Sequence, residues 1–565
     1  MPILLKRFVL SLLIAASLCA SGAHAQTQTQ TLIVRDNTPE QKNTGLLTST
    51  FDSVTGRDVF TIDGDDGIRR ASGALFLHSF SDFNLASGDT ALYTTDNSVD
   101  LDTARIILTR ITGNNRSDVF GHIESLYPNA DLIFVNPNGV FYGPGFTLDV
   151  PQSFHSSTAD FLDMSDGTRI NFTGVGVADP IPEFSVAVPY AWGFLEAGPS
   201  TNDIEVQGFS LFGSDTPSEP AELTFIANNV TIDTDLQTNG RSLIVVGVGD
   251  DGGRVEGFDG EFGSAVDSVK TTSLLGGEVV ILGSIATGPD TRPQGVGYDN
   301  GDIRILGRVV ELGDLVGAPP PLTLSTSTAD LGFDENAGDI LIVADNDLII
   351  QPGTQFDISG KVGSLQDPTI TESGSLGFFA GNLLTADGIT VNTGASSTVE
   401  GRSTIQFVGD TVSLRGAQIN GNILDGVAAS LGIEGRIVDV SDSDVNLLSS
   451  QSAGGSVYVR GSEQLDISNA RGNLQGVNAG ADGDLEIVFS TPPIETIDSV
   501  FQCTGGSCTP TTTFLELPGN GIIRDTTPGQ APGPVPFDQD VYLIRGEDGV
   551  RRDGGRLVLH SFSDF

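Results

Sequence analysis

Four segments in the middle of the chain share one form: a glycine, a short run of alternating or crowded apolar residues, then a second small residue. They are Gly277–Gly283 (GEVVILG), Gly301–Gly307 (GDIRILG), Gly338–Ala344 (GDILIVA) and Gly455–Gly461 (GSVYVRG). A second short apolar run often follows two or three residues later, as at Val309–Leu312, Leu348–Ile350, Val412–Leu414 and Leu465–Ile467. Strands this short, joined by tight Gly, Asn and Asp corners, fit a solenoid in which each coil pairs its backbone with the last. The period is irregular. The chain shows neither the even hairpin spacing of a β-sandwich nor the blade signature of a propeller. The expected fold is therefore all-β: a single right-handed parallel β-helix over most of residues 30 to 500, with the apolar side chains of these strands pointing inward. Coils of roughly 20 to 25 residues stacked about 4.8 Å apart would make a rod on the order of 100 Å long.

Composition agrees with that reading. Glycine occurs 71 times in 565 residues, and its recurrence leaves no room for long helices. A mean hydropathy of +0.03, with β-branched residues throughout, separates the chain from disordered sequences. The 73 acidic residues against 28 basic ones give a net charge of −45. Such a surface repels polyanions, so nucleic acid is not an expected partner, and anionic lipid is met no better.

The first 25 residues read as a secretory signal. Lys6 and Arg7 form a basic start, Phe8 to Ala20 an apolar stretch too short to span a bilayer, and Ala23-His24-Ala25 a small-x-small cleavage site. After cleavage two cysteines remain, Cys503 and Cys508. No histidine or further thiol lies close enough to suggest a metal site, so a small-loop disulfide is expected in exported material.

The stretch from Ile106-Ile-Leu-Thr-Arg-Ile-Thr-Gly113 through Asp131-Leu-Ile-Phe-Val-Asn-Pro-Asn-Gly-Val-Phe-Tyr-Gly143 resembles the N-terminal haemagglutination-activity domain of the filamentous haemagglutinin family, the exoproteins of two-partner secretion. The resemblance takes in Leu75–Phe80, Ala191–Phe194 and Asp203–Gly208, and so covers about residues 30 to 250. Its most specific element is Asn136-Pro137-Asn138-Gly139. The family's other tetrapeptide, Asn-Pro-Asn-Leu, is missing, and Asn114-Asn115-Arg116-Ser117 stands where a related element would be sought. As a peptide, Asn136 to Gly139 is a tight turn: Pro137 fixes φ near −65°, Asn136 can bond forward to backbone amides, and Gly139 accepts a positive φ. The resemblance implies that this turn is a secretion determinant, a folding nucleus and a docking region for an outer-membrane β-barrel transporter. It further implies a secreted or surface-exposed, adhesin-like protein with a host-cell, surface or glycan receptor.

Catalytic motifs are weak by comparison. Gly247-Val-Gly-Asp-Asp-Gly252 fits a dinucleotide fingerprint only superficially, because Asp250 and Asp251 would face the pyrophosphate and no helix follows, so a β-corner is expected. Asp63-Gly-Asp-Asp-Gly67 lacks the closing glutamate of a calcium loop and reads as a solvated turn. His78, His122, His155 and His560 have no ligand spacing. No catalytic residue, cofactor or metal ligand is expected. The alternative from another class is a secreted polysaccharide-degrading β-helix enzyme, which would need a close carboxylate pair.

The chain also repeats itself. Val541–Phe565 aligns without gaps to Val59–Phe83, and Arg524–Gln530 echoes Arg35–Gln41. The copy reads either as the start of a second unit in a longer, truncated product or as a terminal cap. The exposed Phe562 and Phe565 favour the first, since solenoid caps end on polar residues. The expected layout is a signal peptide (1–25), a secretion domain (26–250), a β-helix repeat region (251–508), a Thr/Pro/Gly-rich linker (509–536) and the partial copy (537–565).

Overall fold

A computed structural model describes residues 30–473 outside the segments 39–40, 71–72, 174–188, 196–201, 212–220, 257–269, 272–274, 289–299, 315–320, 328–336, 361–372, 395–402, 422–427 and 448–454, together with 485–489 and 521–525. The chain winds as a parallel β-helix with three faces. Face one runs from Leu75–Asn84 through Ile106–Ile111, Asp131–Val135, Phe154–Ser157, Glu222–Ala227 and Ser242–Gly247. It continues to Leu485–Phe489 by an unbroken series of parallel pairings. Face two stacks Ser117–Val119, Val140–Tyr142, Ile204–Val206, Val230–Ile232 and Glu278–Ile281. Face three is a 6-stranded sheet followed by an 8-stranded one.

The recurrent glycine has a packing cause. It stands just before a face-one strand at Gly301, Gly338 and Gly455 and before the face-two strand at Gly277, where consecutive coils come closest: a Cβ on Gly338 would overlap the carbonyl oxygen of Gly301, one on Gly455 that of Ala429, and one on Gly277 that of Asn228. Gly, not a turn requirement, is what lets the backbones stack there.

Three features differ from the sequence expectation. The paired short runs are single bent strands in several coils, Ile303–Leu312, Ile340–Ile350, Ser430–Asp439 and Ser456–Asp466, with the bend between faces at Gly307 and Gly435 marked by a slip in register. Coil length also varies more than expected: Leu223 stacks under Leu243 and Leu132 under Phe154, within the expected span, Ile405 under Leu431 and Leu431 under Val457 just beyond it, and insertions between faces lengthen others further. Twelve pairings at about 4.8 Å make a stack of about 58 Å, shorter than the expected rod.

The third difference concerns side-chain direction. The expectation of inward apolar residues holds for one alternate set: Phe76, Ile107, Leu132, Phe134, Phe225 and Val245 line the interior, where Phe83 meets Phe134 edge-on at 5.0 Å and Phe356 meets Phe378 at 4.8 Å. The other set on face one, including Leu75, Leu77, Ile106, Leu108, Ile133, Val135, Ile244 and Val246, points outward and is equally buried. It packs beneath a 5-stranded antiparallel sheet made by Phe161–Met164, Arg169–Asn171, Pro189–Phe194, Gly253–Glu256 and Lys270–Thr271. Leu162, Met164, Ile170, Phe172, Trp192 and Val255 supply its underside. A strand covered on both faces reads as a continuous apolar run, and ELTFIA (222–227) and SLIVVG (242–247) are such runs.

The N-terminal end is closed by Leu32–Arg35, which lies antiparallel on Leu75–Asn84. Gly247–Gly252 is where the chain leaves face one for the antiparallel sheet, with φ of +86° at Gly249 and +75° at Gly252. Asp63–Gly67 is not the solvated turn expected: Gly64–Asp66 forms one turn of 3₁₀ helix, and Asp66 is paired with Arg35 at 2.7 Å. Within the segment read as a linker, Gly521–Asp525 is a strand, antiparallel on Leu485–Phe489. The signal segment, Cys503 and Cys508, and Val541–Phe565 lie outside the described residues.

Candidate functional site

Asp131–Val135 ends face one of its coil and Val140–Tyr142 begins face two. The four residues between must turn the chain within the thickness of one coil. Asn136 does this with its own side chain: its Oδ1 accepts from the Asn138 N–H at 2.9 Å, while its carbonyl accepts from the Gly139 N–H at 3.0 Å. Gly139 then takes φ of +105°. The forward bond from Asn136 and the positive φ of Gly139 make these four residues a tight turn.

The turn is not free-standing. Asn136 is fully buried, and its Nδ2 donates downward to the Asn115 carbonyl at 2.9 Å and to Ser117 Oγ at 3.0 Å. Asn138 Nδ2 donates to the Gly113 carbonyl at 2.8 Å. Backbone bonds continue in both directions, from the Ser117 N–H to the Gly139 carbonyl and from the Val140 N–H to that of Asp203. The residues standing in for the missing tetrapeptide, Asn114 to Ser117, are thus the corner directly beneath, and the two corners are stitched together.

Arg116 extends the stitch. It pairs with Asp118 of its own coil at 2.8 Å, lies over the Phe141 ring of the next coil at 4.9 Å, and reaches Glu205 two coils on at 3.5 Å. Asn115 Nδ2 donates to Asp82 of the coil below at 2.8 Å. What faces solvent here is Asn114, Asn115 and part of Asn138; Asn136, Pro137 and Gly139 are covered. Burial in this way means that Asn136 and Gly139 act through shape and bonding between coils.

The remaining candidates are structural in their surroundings. His78 is buried against Tyr93, and burial, then the charge of Arg35, brings its pKa down to about 3. Burial takes His155 down to about 4, beside Thr224. Among the described residues no three His, Cys, Asp or Glu side chains gather as metal ligands, and no helix is long and apolar enough to cross a membrane. Burial and the neighbouring Glu278 push Glu311 up to about 6, and burial with Asp302 pushes Asp339 up to about 8. Asp339 serves coil stacking, its Oδ1 accepting from the Ser375 N–H at 2.6 Å. A cavity of about 430 Å³ opens on the antiparallel sheet, lined by Asp163, Met164, Ser165, Gly167, Arg169, Tyr190 and Arg254. Both arginines are engaged with Asp163, at 2.6 and 3.2 Å. Neither that sheet nor its Trp192 was legible as a site. The nearest signal was the outward apolar residue at every second position of face one.

Residues 54–305 match the family model of the TPS secretion domain. The chain carries a two-partner-secretion domain: it is an exoprotein exported across the outer membrane, with an outer-membrane transporter as partner. Among solved structures it is similar to the HMW1 secretion domain from Haemophilus influenzae, at 14% identity and a TM-score of 0.41, covering 81% of this chain and 96% of that one. No curated protein matches it.

Proposed function

We propose that Asn136–Gly139 is the secretion determinant of this exoprotein and that it works as a folding nucleus. The observation that carries this is the pair of side-chain bonds from Asn136 and Asn138 to the corner below, which make formation of the turn and stacking of two coils a single event. If folding outside the cell helps draw the chain through the transporter, damage to this turn appears as failed export. Gly139→Val places a β-branched residue at φ of +105°, at a cost of about 1–3 kcal/mol. Expected are normal signal cleavage, product held in the periplasm and a severe drop in extracellular yield. Normal secretion of that variant would reduce the turn to scaffolding.

Beyond export, the reading is of a non-enzymatic, adhesin-like rod that reaches the periplasm by the signal at residues 1–25. Its receptor is a host cell, a surface or a glycan. Cys503 and Cys508 are bridged in the exported form. Loss of attachment by cells lacking the protein, restored by supplying it, tests adhesion. Two thiols alkylated after denaturation without reductant would refute the bridge.

A further inference from the structure

The antiparallel sheet that covers face one has a polar outer surface of its own. Asp163 stands opposite Arg169 on one side and Ala191 on the other, and Ala191 in turn stands opposite Glu256. Arg169 donates to both oxygens of Asp163, at 2.6 and 3.0 Å. A Cβ on Gly193 would overlap the Phe161 ring, so that ring lies over the glycine, and the Arg169 guanidinium stands 3.5 Å from its centre. Arg169 is thus held from two sides, and Asp163 is fixed with it.

Arg254 is held differently. It lies 3.2 Å from Asp163, 3.3 Å from Glu256 and 5.5 Å from the centre of the Tyr190 ring. The Glu256 contact is out of line for a hydrogen bond: the buried Nε has, among the described residues, no hydrogen-bond partner. Buried donors are normally satisfied, so a guanidinium placed by charge and left with unmet bonding capacity is suited to an acceptor from outside the chain. The cavity of about 430 Å³ lies beside it, and Tyr190, 39% exposed, forms part of the wall.

Charge narrows the class of ligand. Among the lining residues, Asp163, Arg169 and Arg254 carry one carboxylate and two guanidinium groups, a net charge of +1 in a chain of −45. A polyanion is repelled by the rest of the surface, and a phosphate dianion would bring a second negative charge against Asp163. A single carboxylate matches both the one spare positive charge and the planar fork of a guanidinium. The exposed Tyr190 ring adds a flat, amphipathic surface against which the C–H face of a sugar ring packs.

We propose that this cavity binds a terminal uronic acid residue of a glycan, with its carboxylate on Arg254 and its ring against Tyr190, while Asp163 spaces the two guanidinium groups. The proposal rests on the reading of the protein as an adhesin, whose receptor it narrows to a glycan bearing isolated carboxylates.

The purified exported chain is to be titrated with methyl glucuronide and methyl galacturonide, each against its neutral hexoside, and with inorganic phosphate. Salt of about 0.15 M, where the Debye length is about 8 Å, screens the distant acidic surface. Expected is saturable binding of at least one uronide, about tenfold tighter than its hexoside and tighter than phosphate. Arg254→Lys keeps a charge beside Asp163 and Glu256 but loses the planar fork, and Tyr190→Ala removes an exposed ring. Each should weaken the uronide about tenfold and leave the fluorescence of Trp192 and the urea midpoint unchanged. No binding of either uronide, uronide and hexoside bound alike, phosphate bound more tightly, or a folded variant that binds as the wild type would overturn the proposal. If a variant fails to fold, the preference of the unsubstituted chain for uronide over hexoside decides. Attachment of cells separates this site from the adhesion reading. Attachment that depends on a protein unable to bind uronides removes the site alone, and uronide binding by a protein that cells do not need for attachment removes the adhesion reading alone.

Discussion

Asn138 of one coil donates its side-chain amide to the Gly113 carbonyl of the coil beneath at 2.8 Å, and to Asn136 Oδ1 within its own turn at 3.1 Å. Asn138→Ala removes both bonds, whereas Asn138→Asp also sets a carboxylate against two oxygens. The expected order of urea midpoints is wild type, then Ala, then Asp, with the Asp variant lower by about 1–3 kcal/mol. An Ala variant with the wild-type midpoint would mean that the bond to Gly113 contributes nothing in solution.

Trp192 is the only tryptophan and sits under the antiparallel sheet, opposite Leu162 and Val255, with 1% of its surface exposed. The outer core it belongs to shares strands with the inner one, since Ile133 faces out between Leu132 and Phe134, which face in. Sheet and solenoid should therefore unfold together: tryptophan fluorescence and circular dichroism should give one urea midpoint. Trp192→Ala should cost about 3–5 kcal/mol. Separate midpoints would show that the sheet leaves before the solenoid melts.

These two sites mark how far the sequence could be read. The turn was legible because Pro137, the Asx acceptor Asn136 and Gly139 each have a local physical role, fixed within four residues. The coil positions were legible because glycine is demanded wherever backbones approach, as at Gly374 over Gly338. The antiparallel sheet was not. Its strands are separated by long stretches of sequence, and the pairing of Trp192 with Leu162 and Val255 leaves no local mark. The only trace was that DLIFV and SLIVVG are apolar at adjacent positions, a pattern that says a face is covered but not by what.

Arg110 is a third long-range feature. It points outward from face one, is 2% exposed, and donates to Ser79 Oγ at 2.9 Å, to Thr38 Oγ1 at 3.0 Å and to the Asn171 carbonyl at 3.2 Å. One guanidinium thus joins the N-terminal segment, the first face-one strand and the antiparallel sheet. Arg110→Met keeps most of the volume and none of the donors. Bonds of this kind are each worth about 1.5–3 kcal/mol and do not add fully, so a loss of about 3 kcal/mol is expected. Amide exchange should quicken in Leu32–Arg35 more than in the distant Ile340–Ile350. A uniform change would mean that Arg110 supports the whole rod and not its N-terminal closure.

The stacked pair Asp302 and Asp339 gives the chain a pH dependence whose sign is fixed by its geometry. The Asp339 N–H donates to Asp302 Oδ1 at 2.8 Å, so each coil brings a carboxylate close to the one below. Burial first, and the charge of Asp302 second, push the Asp339 carboxyl up to about 8 from an ordinary 3.8, against the opposing pull of the Ser375 N–H and Arg304. The folded chain then keeps a proton that the unfolded chain releases near pH 4. Stability from this group is full below pH 4 and declines as pH rises towards 8, by at most about 1.4 kcal/mol per pH unit, before levelling off. Asn at 339 can accept the same bond from Ser375 without a charge. Asp339→Asn should therefore melt with the wild type at pH 4 and above it at pH 9, the gap opening between those values. Melting curves that stay parallel over that range would show that Asp339 gives up its proton as readily in the folded chain as in the unfolded one.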